Sequence, residues 1–151
     1  MTNSNNAVFV RESSAEDFST IEHHHELSRA ESAQYRGSVT PVTSGGRTVS
    51  FVAGVGNSVF GSLTLTQTGD TSWTIAHVFV EQQAREIGIG DALVLHALEF
   101  LKQETATWIG AQAQPGDRAL KNLFERHGLV AQTILVGRSL NDPSTEVRAS
   151  Q

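Results

Sequence analysis

The residues best suited to chemistry lie between Val78 and Asp91, where an apolar segment runs through a glycine-containing loop into a predicted helix. Gly88 and Gly90 have no side chains to keep a ligand away from the backbone. The helix that follows would offer unpaired N–H groups and the positive end of its dipole, and Arg85 could add charge-assisted hydrogen bonds. This spacing predicts an anion-binding loop, although a helix-entry turn without a ligand would use the same glycines.

Two common phosphate motifs do not fit this loop. The dinucleotide fingerprint Gly-x-Gly-x-x-Gly needs a third glycine where Leu93 stands. A nucleotide P-loop needs Gly-Lys-Ser/Thr, whereas Gly90 is followed by Asp91 and Ala92. The loop therefore needs a different anionic ligand, or none.

His77 lies in the predicted strand that leads into this loop. A histidine titrates close to neutral pH, so His77 is the candidate general base. Strict strand alternation would place Ile75, His77 and Phe79 on one face. That face would be apolar, and His77 would then be a core histidine with a backbone partner.

Three consecutive histidines, His23 to His25, suggest a metal site at first sight. Consecutive helical residues point about 100° apart, so the three cannot converge on one ion, and no His-x-x-x-His pair is available. We therefore predict no metal. Glu22 and Glu26 share a helical face and could attract a cationic amine, or could form an ordinary solvated face.

Composition narrows the function classes. The 151 residues are 38% hydrophobic and 18% charged, which fits one globular domain. The absence of cysteine excludes disulfides and thiolate chemistry, and the polar N-terminus lacks the pattern of a signal peptide. The net charge of −5 disfavours nucleic acid and favours cationic substrates. We expect a cytoplasmic protein that does not bind membranes.

Hydrophobic periodicity predicts the elements that position these residues. A strand over 7–11 is followed by a helix with Ser14 and Asp17 as an approximate capping box and an apolar stripe of Phe18, Ile21 and Leu27. The remaining predictions are a loop over 37–46, three antiparallel strands within 48–80, a helix over 90–105, a strand over 108–113, a helix after Asp117 that Gly128 ends, and a last strand or hairpin over 129–140.

This order and several short motifs resemble the GNAT superfamily of N-acetyltransferases over residues 8–140. The motifs are Arg85-x-x-Gly88-x-Gly90, Val59-Phe60-Gly61, and Gly116-Asp117 followed by Leu123 to Leu129. The resemblance implies an α/β (α+β) GNAT fold, with a mixed central sheet that has two splayed parallel strands and flanking helices. It also implies a short second helix between residues 30 and 37. We expect a single domain over 7–140, with flexible tails at 1–6 and 141–151.

The resemblance also implies acetyl-CoA or coenzyme A as cofactor. The pantetheine arm would lie along the strand before the loop, with the Val78 amide stabilising the oxyanion, and the loop amides would bind the pyrophosphate. The residues implied in cofactor binding are Val78, Phe79, Val80, Arg85, Glu86, Ile87, Gly88, Ile89, Gly90, Asp91, Asp117, Lys121 and Phe124.

Three of these residues depart from the family pattern. Phe124 stands where many members place a tyrosine that protonates the leaving thiolate, and phenylalanine has no proton to donate. Asp117 replaces a common asparagine and would also serve as a helix N-cap. Asp91 places a carboxylate beside the expected phosphates. It could instead face outward at the helix start.

The sequence thus predicts an N-acetyltransferase in which a small-molecule or peptide amine attacks acetyl-CoA directly. A second interpretation, motivated by Phe124, is a weakly active or non-catalytic coenzyme A sensor or scaffold. A third is an interaction module with an empty cleft. A homodimer is also compatible, because a second subunit could complete the acceptor cleft.

Overall fold

The computed structural model describes residues 7–43 and 45–141, and a five-stranded sheet in the order β1-β2-β3-β4-β5 forms its centre. The strands are β1 Val8–Glu12, β2 Thr48–Val55, β3 Ser58–Gln67, β4 Ser72–Val80 and β5 Trp108–Gly110. The helices are α1 Phe18–Ser32, α2 Ile89–Gln103 and α3 Arg118–Arg126. Of the two predicted tails, residues 1–6 and 142–151 lie outside the described residues.

The first four strands pair antiparallel in sequence order, and β5 pairs parallel with β4. Turns at Gly56 and in 68–71 separate the three central strands, as predicted. The prediction of a mixed sheet with flanking helices and a pair of parallel strands is therefore confirmed. β5 is shorter than the predicted strand over 108–113, because the chain leaves the sheet after Gly110.

Asp17 anchors the start of α1. Its carboxylate accepts hydrogen bonds from the Ser14 backbone N–H at 2.8 Å and from Arg11 at 2.7 and 3.0 Å. One turn of 3-10 helix, Ala15–Asp17, precedes α1, and the helix runs to Ser32. The predicted second short helix between 30 and 37 is not present, since residues 33–37 form turns and a bend.

The inner face of α1 is polar, which corrects the predicted apolar stripe. Phe18 is 68% exposed, whereas His24 is completely buried against the sheet. Ser28 and Glu31 follow His24 at helical spacing and line a cleft. The low hydrophobic periodicity of this segment therefore reflects a helix that faces a polar site.

α2 covers the opposite face of the sheet and forms most of the core. Its buried residues are Ile89, Leu93, Val94, Ala97 and Leu101. The helix approaches β3 closely at Gly61, where an added Cβ would lie 2.9 Å from Ile89 Cγ2 and 3.1 Å from the Phe79 carbonyl oxygen. A side chain at position 61 would push away the N-terminus of α2.

Caps fix both ends of α3. The Asp117 carboxylate accepts a hydrogen bond from the Leu120 N–H at 3.2 Å, as its N-cap interpretation predicts. Gly128 has φ +87, and the Leu129 N–H donates to the Phe124 carbonyl at 3.0 Å. This is the left-handed C-cap predicted for Gly128.

The prediction of a last strand or hairpin over 129–140 is wrong. Residues 129–139 are irregular, and Ile134, Leu135 and Val136 are 83 to 87% exposed. An apolar run forms a strand only where a sheet edge is available to pair with it, and β5 offers just three residues. In the part of the chain described here, no helix is both long and apolar enough to span a membrane.

Candidate functional site

A cleft opens where β4 and β5 separate. Their parallel pairing covers Ser72 to Thr74 opposite Trp108 to Gly110, and β4 then continues to Val80 with no β5 partner in the described chain. The cavity has a volume of about 700 Å³. Its walls are the inner face of α1, strand β4, the loop 82–91, residues 112–117 and helix α3. Its size suits a small organic ligand.

A bulge in β4 determines which side chains face this cleft. Thr64 pairs with His77 and Leu65 pairs with Ile75, so Ala76 is an extra residue on β4. Paired residues share a face and neighbours along a strand alternate, so the bulge places His77 and Ile75 on opposite faces. The prediction that Ile75 and His77 share one apolar face is therefore wrong. His77 lies on the α1 side.

The backbone of β4 presents hydrogen-bonding groups to the gap. The Glu81 N–H donates to the Phe60 carbonyl of β3 at 2.7 Å. Because N–H groups alternate in direction along a strand, those of Val78 and Val80 face away from β3, towards the gap. A ligand lying there could pair with β4 in the manner of an added strand.

The start of α2 is open to an anion at one end of the cleft. Gly88 has φ +90 and an added Cβ there would meet nothing within 4 Å, so the loop is unobstructed on that side. The Ala92 N–H makes the first hydrogen bond of the helix, to the Gly88 carbonyl, which leaves the preceding amides at the helix end. Glu86, with φ 71, lies in the same loop and adopts a conformation that is uncommon for a residue with a side chain.

Arg85 is held against α1 rather than extended into solvent. Its Nη2 donates to both carboxylate oxygens of Glu31 at 3.0 and 2.8 Å, and its Nε donates to the Val80 carbonyl at 2.8 Å. The guanidinium also lies over the Phe79 ring at 5.3 Å. Arg85 thus joins the loop, β4 and α1 at one edge of the cleft.

Asp91 makes its contacts with α3. Its carboxylate accepts hydrogen bonds from Arg126 Nε and Nη2, both at 3.1 Å, and pairs with His127 Nε2 at 2.7 Å. The hydrogen bond from Arg126 is the main reason that the pKa of Asp91 lies below its usual value, with a smaller effect from His127. The negative charge that seemed unfavourable beside a phosphate is therefore balanced by Arg126, which also lines the cleft.

His77 is a cleft residue that stays neutral. Burial lowers its pKa from 6.5 to about 3, and a positive charge on His25 or His24 would lower it further. The ring of His25 stands edge-on to that of His77, with centroids 4.2 Å apart. The neutral imidazole can accept a proton, but because its pKa is low it does not remain protonated at pH 7.

A run of buried polar side chains leads away from His77. His77 Nε2 lies 3.2 Å from Ser62 Oγ, which lies 2.8 Å from His24 Nδ1. His24 Nε2 is 2.9 Å from Glu81 Oε2. His24 and Ser62 are completely buried, while the side chain of Glu81 is 22% exposed.

Two glutamines attach the loop after α1 to the segment after β5. The Gln114 amide bonds Ser32 Oγ at 2.6 Å and the Gly37 carbonyl at 2.8 Å. The Gln112 amide exchanges two hydrogen bonds of 2.9 Å with the Thr40 backbone. These bonds attach residues 32–40, of which Ser32, Tyr35 and Val39 line the cleft, to the segment after β5.

Comparisons with known proteins agree with this geometry. A model of the "Acetyltransferase (GNAT) family" matches residues 8–129, which is most of the chain. The chain belongs to the GNAT family of acetyltransferases. A comparison with curated proteins found no match.

Solved structures share the GNAT fold at low identity. A possible acetyltransferase from Clostridium difficile 630 is 13% identical with a TM-score of 0.66, covering 87% of this chain and 96% of that one. An aminoglycoside acetyltransferase from an uncultured soil metagenomic sample, in complex with sisomicin, is 16% identical with a TM-score of 0.66, covering 89% and 95%. The aminoglycoside N-acetyltransferase AAC(6')-Iy in complex with CoA is 8% identical with a TM-score of 0.68, covering 94% and 100%.

Most of the residues predicted for the GNAT site line this same cleft. They are His77, Val78, Phe79, Val80, Arg85, Glu86, Gly88, Ile89, Gly90, Asp91, Asp117 and Phe124. Ile87 and Lys121 do not line it: Ile87 is 52% exposed, and the Lys121 side chain is 61% exposed and pairs with Glu125 at 3.8 Å. Phe124 is 6% exposed and also belongs to the hydrophobic core.

Several residues of the GNAT cleft were missed by sequence reasoning. Tyr35 is the only tyrosine in the sequence and lines the cleft beside Gly116, where an added Cβ would lie 3.6 Å from Tyr35 Cδ1. Ser62 and His24 do not line the cleft but carry the hydrogen bonds that lead away from His77; they lie on separate elements, and nothing in their local sequence links them. Arg126 was hidden because a cation in the last turn of a helix has an ordinary structural explanation.

Proposed function

We propose that this GNAT chain transfers the acetyl group of acetyl-CoA to an amine that attacks directly in a ternary complex. The observation that carries the proposal is the exposed edge of β4 from Ile75 to Val80. It runs from the side of His77 to an open helix N-terminus at Gly88. A site for acyl transfer needs a place that holds the acetyl donor and a group that receives the proton of the attacking amine.

The residues present fit coenzyme A. The amides that begin α2 would hold the pyrophosphate, with Arg85 and Arg126 beside them. The gap-facing groups of Val78 and Val80 would pair with the pantetheine arm, and Phe124 would pack against it. When bound, acetyl-CoA supplies an electrophilic thioester carbonyl and a thiol leaving group. The Val78 N–H would stabilise negative charge on that carbonyl oxygen.

Proton transfer falls to two cleft side chains. His77 accepts a proton from the amine, because it is neutral and lines the cleft. Tyr35 donates a proton to the leaving thiolate, because it is the one side chain of the cleft with a phenolic hydroxyl, the group that Phe124 lacks. We assign these roles as part of the proposal.

The acceptor is a small-molecule or peptide amine in this proposal. The net charge of −5 would attract a cation to the protein, and Glu31 and Glu86 line the cleft. The structural neighbours include acetyltransferases of aminoglycosides, which are polyamines. That similarity is one of fold, so aminoglycosides are one test substrate among several.

The experiment has a binding stage and a turnover stage. Calorimetry measures binding of coenzyme A, and thiol release is then followed with polyamines, aminoglycosides, amino acids and peptides with free N-termini. Gly88→Val should abolish binding, because it places a branched side chain in the phosphate loop. Gly128→Val is the matched control, since Gly128 has nearly the same φ, +87 against +90, and equally open space. Equal binding by both variants would contradict the proposed loop.

A coenzyme A sensor without catalysis is the second candidate, and the absence of a tyrosine at Phe124 favours it. Binding of coenzyme A that depends on Gly88, together with thiol release no faster than hydrolysis for every amine, would establish this alternative. Loss of both binding and turnover would instead indicate an interaction module.

We also propose a single domain over 7–140 that acts in the cytoplasm and forms a homodimer. The exposed apolar side chains of Ile134, Leu135, Val136 and Leu140 support the dimer, because a second copy would cover them. Light scattering should show a dimer that Leu135→Asp dissociates. A monomeric wild-type protein would exclude it, and cell fractionation tests the location.

A further inference from the structure

The structure contains a continuous path of hydrogen-bonding atoms from the cleft to the surface. It runs from His77 through Ser62 and His24 to Glu81, and its three steps measure 3.2, 2.8 and 2.9 Å. The path crosses β4, β3 and α1 and ends on the segment after β4. Buried polar groups are normally hydrogen-bonded, and here each group inside the path has a partner on both sides.

For an ionised Glu81 and a neutral His24, counting protons gives the direction of each hydrogen bond. An ionised Glu81 can only accept, so His24 must donate from Nε2. A neutral His24 then accepts at Nδ1, where the single hydroxyl proton of Ser62 is donated. With that proton committed, Ser62 Oγ can only accept from His77 Nε2. His77 therefore carries its proton on Nε2, and its Nδ1 keeps a free lone pair.

The nitrogen that stays unpaired at the inner end of the path is Nδ1 of His77. His77 lines the cleft, and its Nδ1 makes no hydrogen bond to any residue that the structure describes. At the other end, the side chain of Glu81 is 22% exposed to solvent, and its second oxygen accepts from Gln83 Nε2 at 2.8 Å. One end of the path is thus positioned for a substrate and the other for water.

We propose that Ser62, His24 and Glu81 form a proton relay that carries the amine's proton from His77 to solvent. This inference rests on the proposed function and deepens it. His77 is the residue that touches the substrate, and the other three are positioning residues that act through it. The segment from Ser62 to Glu81 is the route by which the proton leaves a buried site.

The relay explains how a histidine in these surroundings can act as a base. Burial, with the neighbouring His25 and His24, disfavours a lasting charge on His77. The neighbouring ring of His25 has its Nε2 buried without a hydrogen-bond partner, and among the described residues no carboxylate pairs with the His77 ring. If one proton leaves Nε2 as another arrives at Nδ1, His77 does not carry a positive charge for long.

The transfer balances atom by atom. The ammonium form of the substrate gives one proton to His77 Nδ1, and His77 Nε2 gives its proton to Ser62 Oγ. Ser62 passes its hydroxyl proton to His24 Nδ1, and His24 passes the Nε2 proton to the Glu81 carboxylate. The substrate is left as a free amine with its lone pair, and Glu81 as a carboxylic acid that releases its proton to water. His24 is completely buried, so the starting tautomers return by the same hops in reverse: Glu81 takes up a proton from water, and His77 Nδ1 releases one to water in the cleft.

The competing explanation is a structural one, in which the same bonds only fasten α1 to the sheet. A structural network would lose stability on substitution, but it would not affect how fast protons move. The two explanations therefore differ in measurements that follow protons, and not in measurements of folding.

The first test needs no turnover. In protein labelled with 15N in histidine, NMR at pH 7 should show both His24 and His77 as neutral rings protonated at Nε2. A ring protonated at Nδ1, or a doubly protonated His77, would overturn the proposed direction. Because this readout is independent of activity, it tests the direction of the hydrogen bonds even if every amine in the substrate screen fails.

The second test uses turnover of any amine that the wild-type protein accepts. Ser62→Ala should lower kcat by about 100-fold, the lower end of the range for assisted proton transfer. It should leave coenzyme A affinity unchanged, and Ser62→Thr, which keeps the hydroxyl, should recover most of the rate. Glu81→Gln keeps a hydrogen-bond acceptor but cannot take up the proton, so it should lower kcat to a similar extent.

The solvent isotope effect separates relay from scaffold. In the wild-type protein, kcat in D2O should fall with a curved dependence on deuterium fraction, because several protons move, and Ser62→Ala should make that dependence linear. A wild-type enzyme whose kcat and isotope effect survive Ser62→Ala unchanged would overturn the relay while leaving the acetyltransferase proposal intact. Turnover absent in the wild type, with the expected tautomers present, would overturn the acetyltransferase proposal and leave the proton path intact.

Discussion

The carboxylate of Glu31 accepts two hydrogen bonds from Arg85, at 3.0 and 2.8 Å, across one edge of the cleft. Arg85 was predicted from the sequence as a phosphate ligand, and its Nε is already engaged by the Val80 carbonyl. The positive charge next to the phosphate loop is therefore partly neutralised by α1. An incoming diphosphate would compete with Glu31 for the same guanidinium.

Removing this competition should strengthen coenzyme A binding. Glu31→Gln keeps the shape of the side chain but removes its charge, so we expect the Kd to fall by about 2- to 5-fold, the scale of a partly exposed ion pair. The effect should diminish at high salt. Calorimetry at two salt concentrations measures it. Glu26→Gln removes the same charge from an exposed position on α1 and should change little. Weaker binding in Glu31→Gln would show that Glu31 orients Arg85 instead.

His77 should make the protein less stable as the pH falls from 6.5 towards 3. The unfolded chain protonates this histidine near its ordinary pKa of 6.5, whereas in the folded protein the pKa is about 3. Between those values the unfolded state binds more protons, so the free energy of unfolding decreases on acidification by up to about 1.4 kcal/mol per pH unit.

Urea unfolding of the wild type and His77→Gln at pH 5, 6 and 7 measures this effect. The variant should show a flatter dependence of the free energy of unfolding on pH. The pKa values of Asp17 and Asp91 are lowered from 3.8, so these carboxylates change the free energy of unfolding at about that pH and below, outside the measured range of pH 5 to 7. His23→Gln, which removes an exposed imidazole of α1, is the control for loss of a histidine outside the cleft. Identical slopes in the wild type and His77→Gln would contradict a buried, neutral His77.

The parts of the fold that local patterns encode were predicted well. Turn residues separate β2, β3 and β4, and caps such as Asp117 and Gly128 mark helix ends, so short-range physics was sufficient there. The last strand failed because pairing depends on a distant edge that the local sequence does not describe. The apolar run at Ile134 to Val136 has the composition of a strand but no partner in the described structure.

The sequence predicted the backbone groups of the candidate site, but not the hydrogen bonds among its polar side chains. The loop at Gly88 follows from glycine spacing and a helix start. The bulge at Ala76 could not be seen in the sequence, and it moved His77 to the opposite face from Ile75. The bonds of Ser62 to His24 and His77 join residues 38 and 15 positions apart, so only the folded chain reveals them.

Gln114 should be more important than Gln112 for holding the loop after α1. Gln114 is 8% exposed, and its amide bonds Ser32 and Gly37, whereas Gln112 is exposed and bonds only Thr40. Gln114→Ala would leave buried polar groups without partners, which costs about 1–3 kcal/mol of unfolding free energy. Gln112→Ala should cost less than about 1 kcal/mol. Thermal unfolding and amide exchange of residues 33–40 compare the two, and an equal loss in both would contradict the argument from burial.

Tyr35→Phe tests the source of the proton for the leaving thiolate. The hydroxyl of Tyr35 is the phenolic group of the cleft, and Phe124 offers none at the position where the GNAT resemblance implies a tyrosine. If Tyr35 protonates the thiolate, Tyr35→Phe should lower kcat by about 100- to 10,000-fold with little change in KM. The loss should shrink for an acetyl donor with a more acidic thiol, which leaves without a proton. Phe124→Tyr in the Tyr35→Phe background should restore part of the rate if position 124 can supply the same proton. A kcat unchanged in Tyr35→Phe would assign the proton to water, and a loss of equal size for both donors would show that Tyr35 positions the substrate rather than acting as the acid.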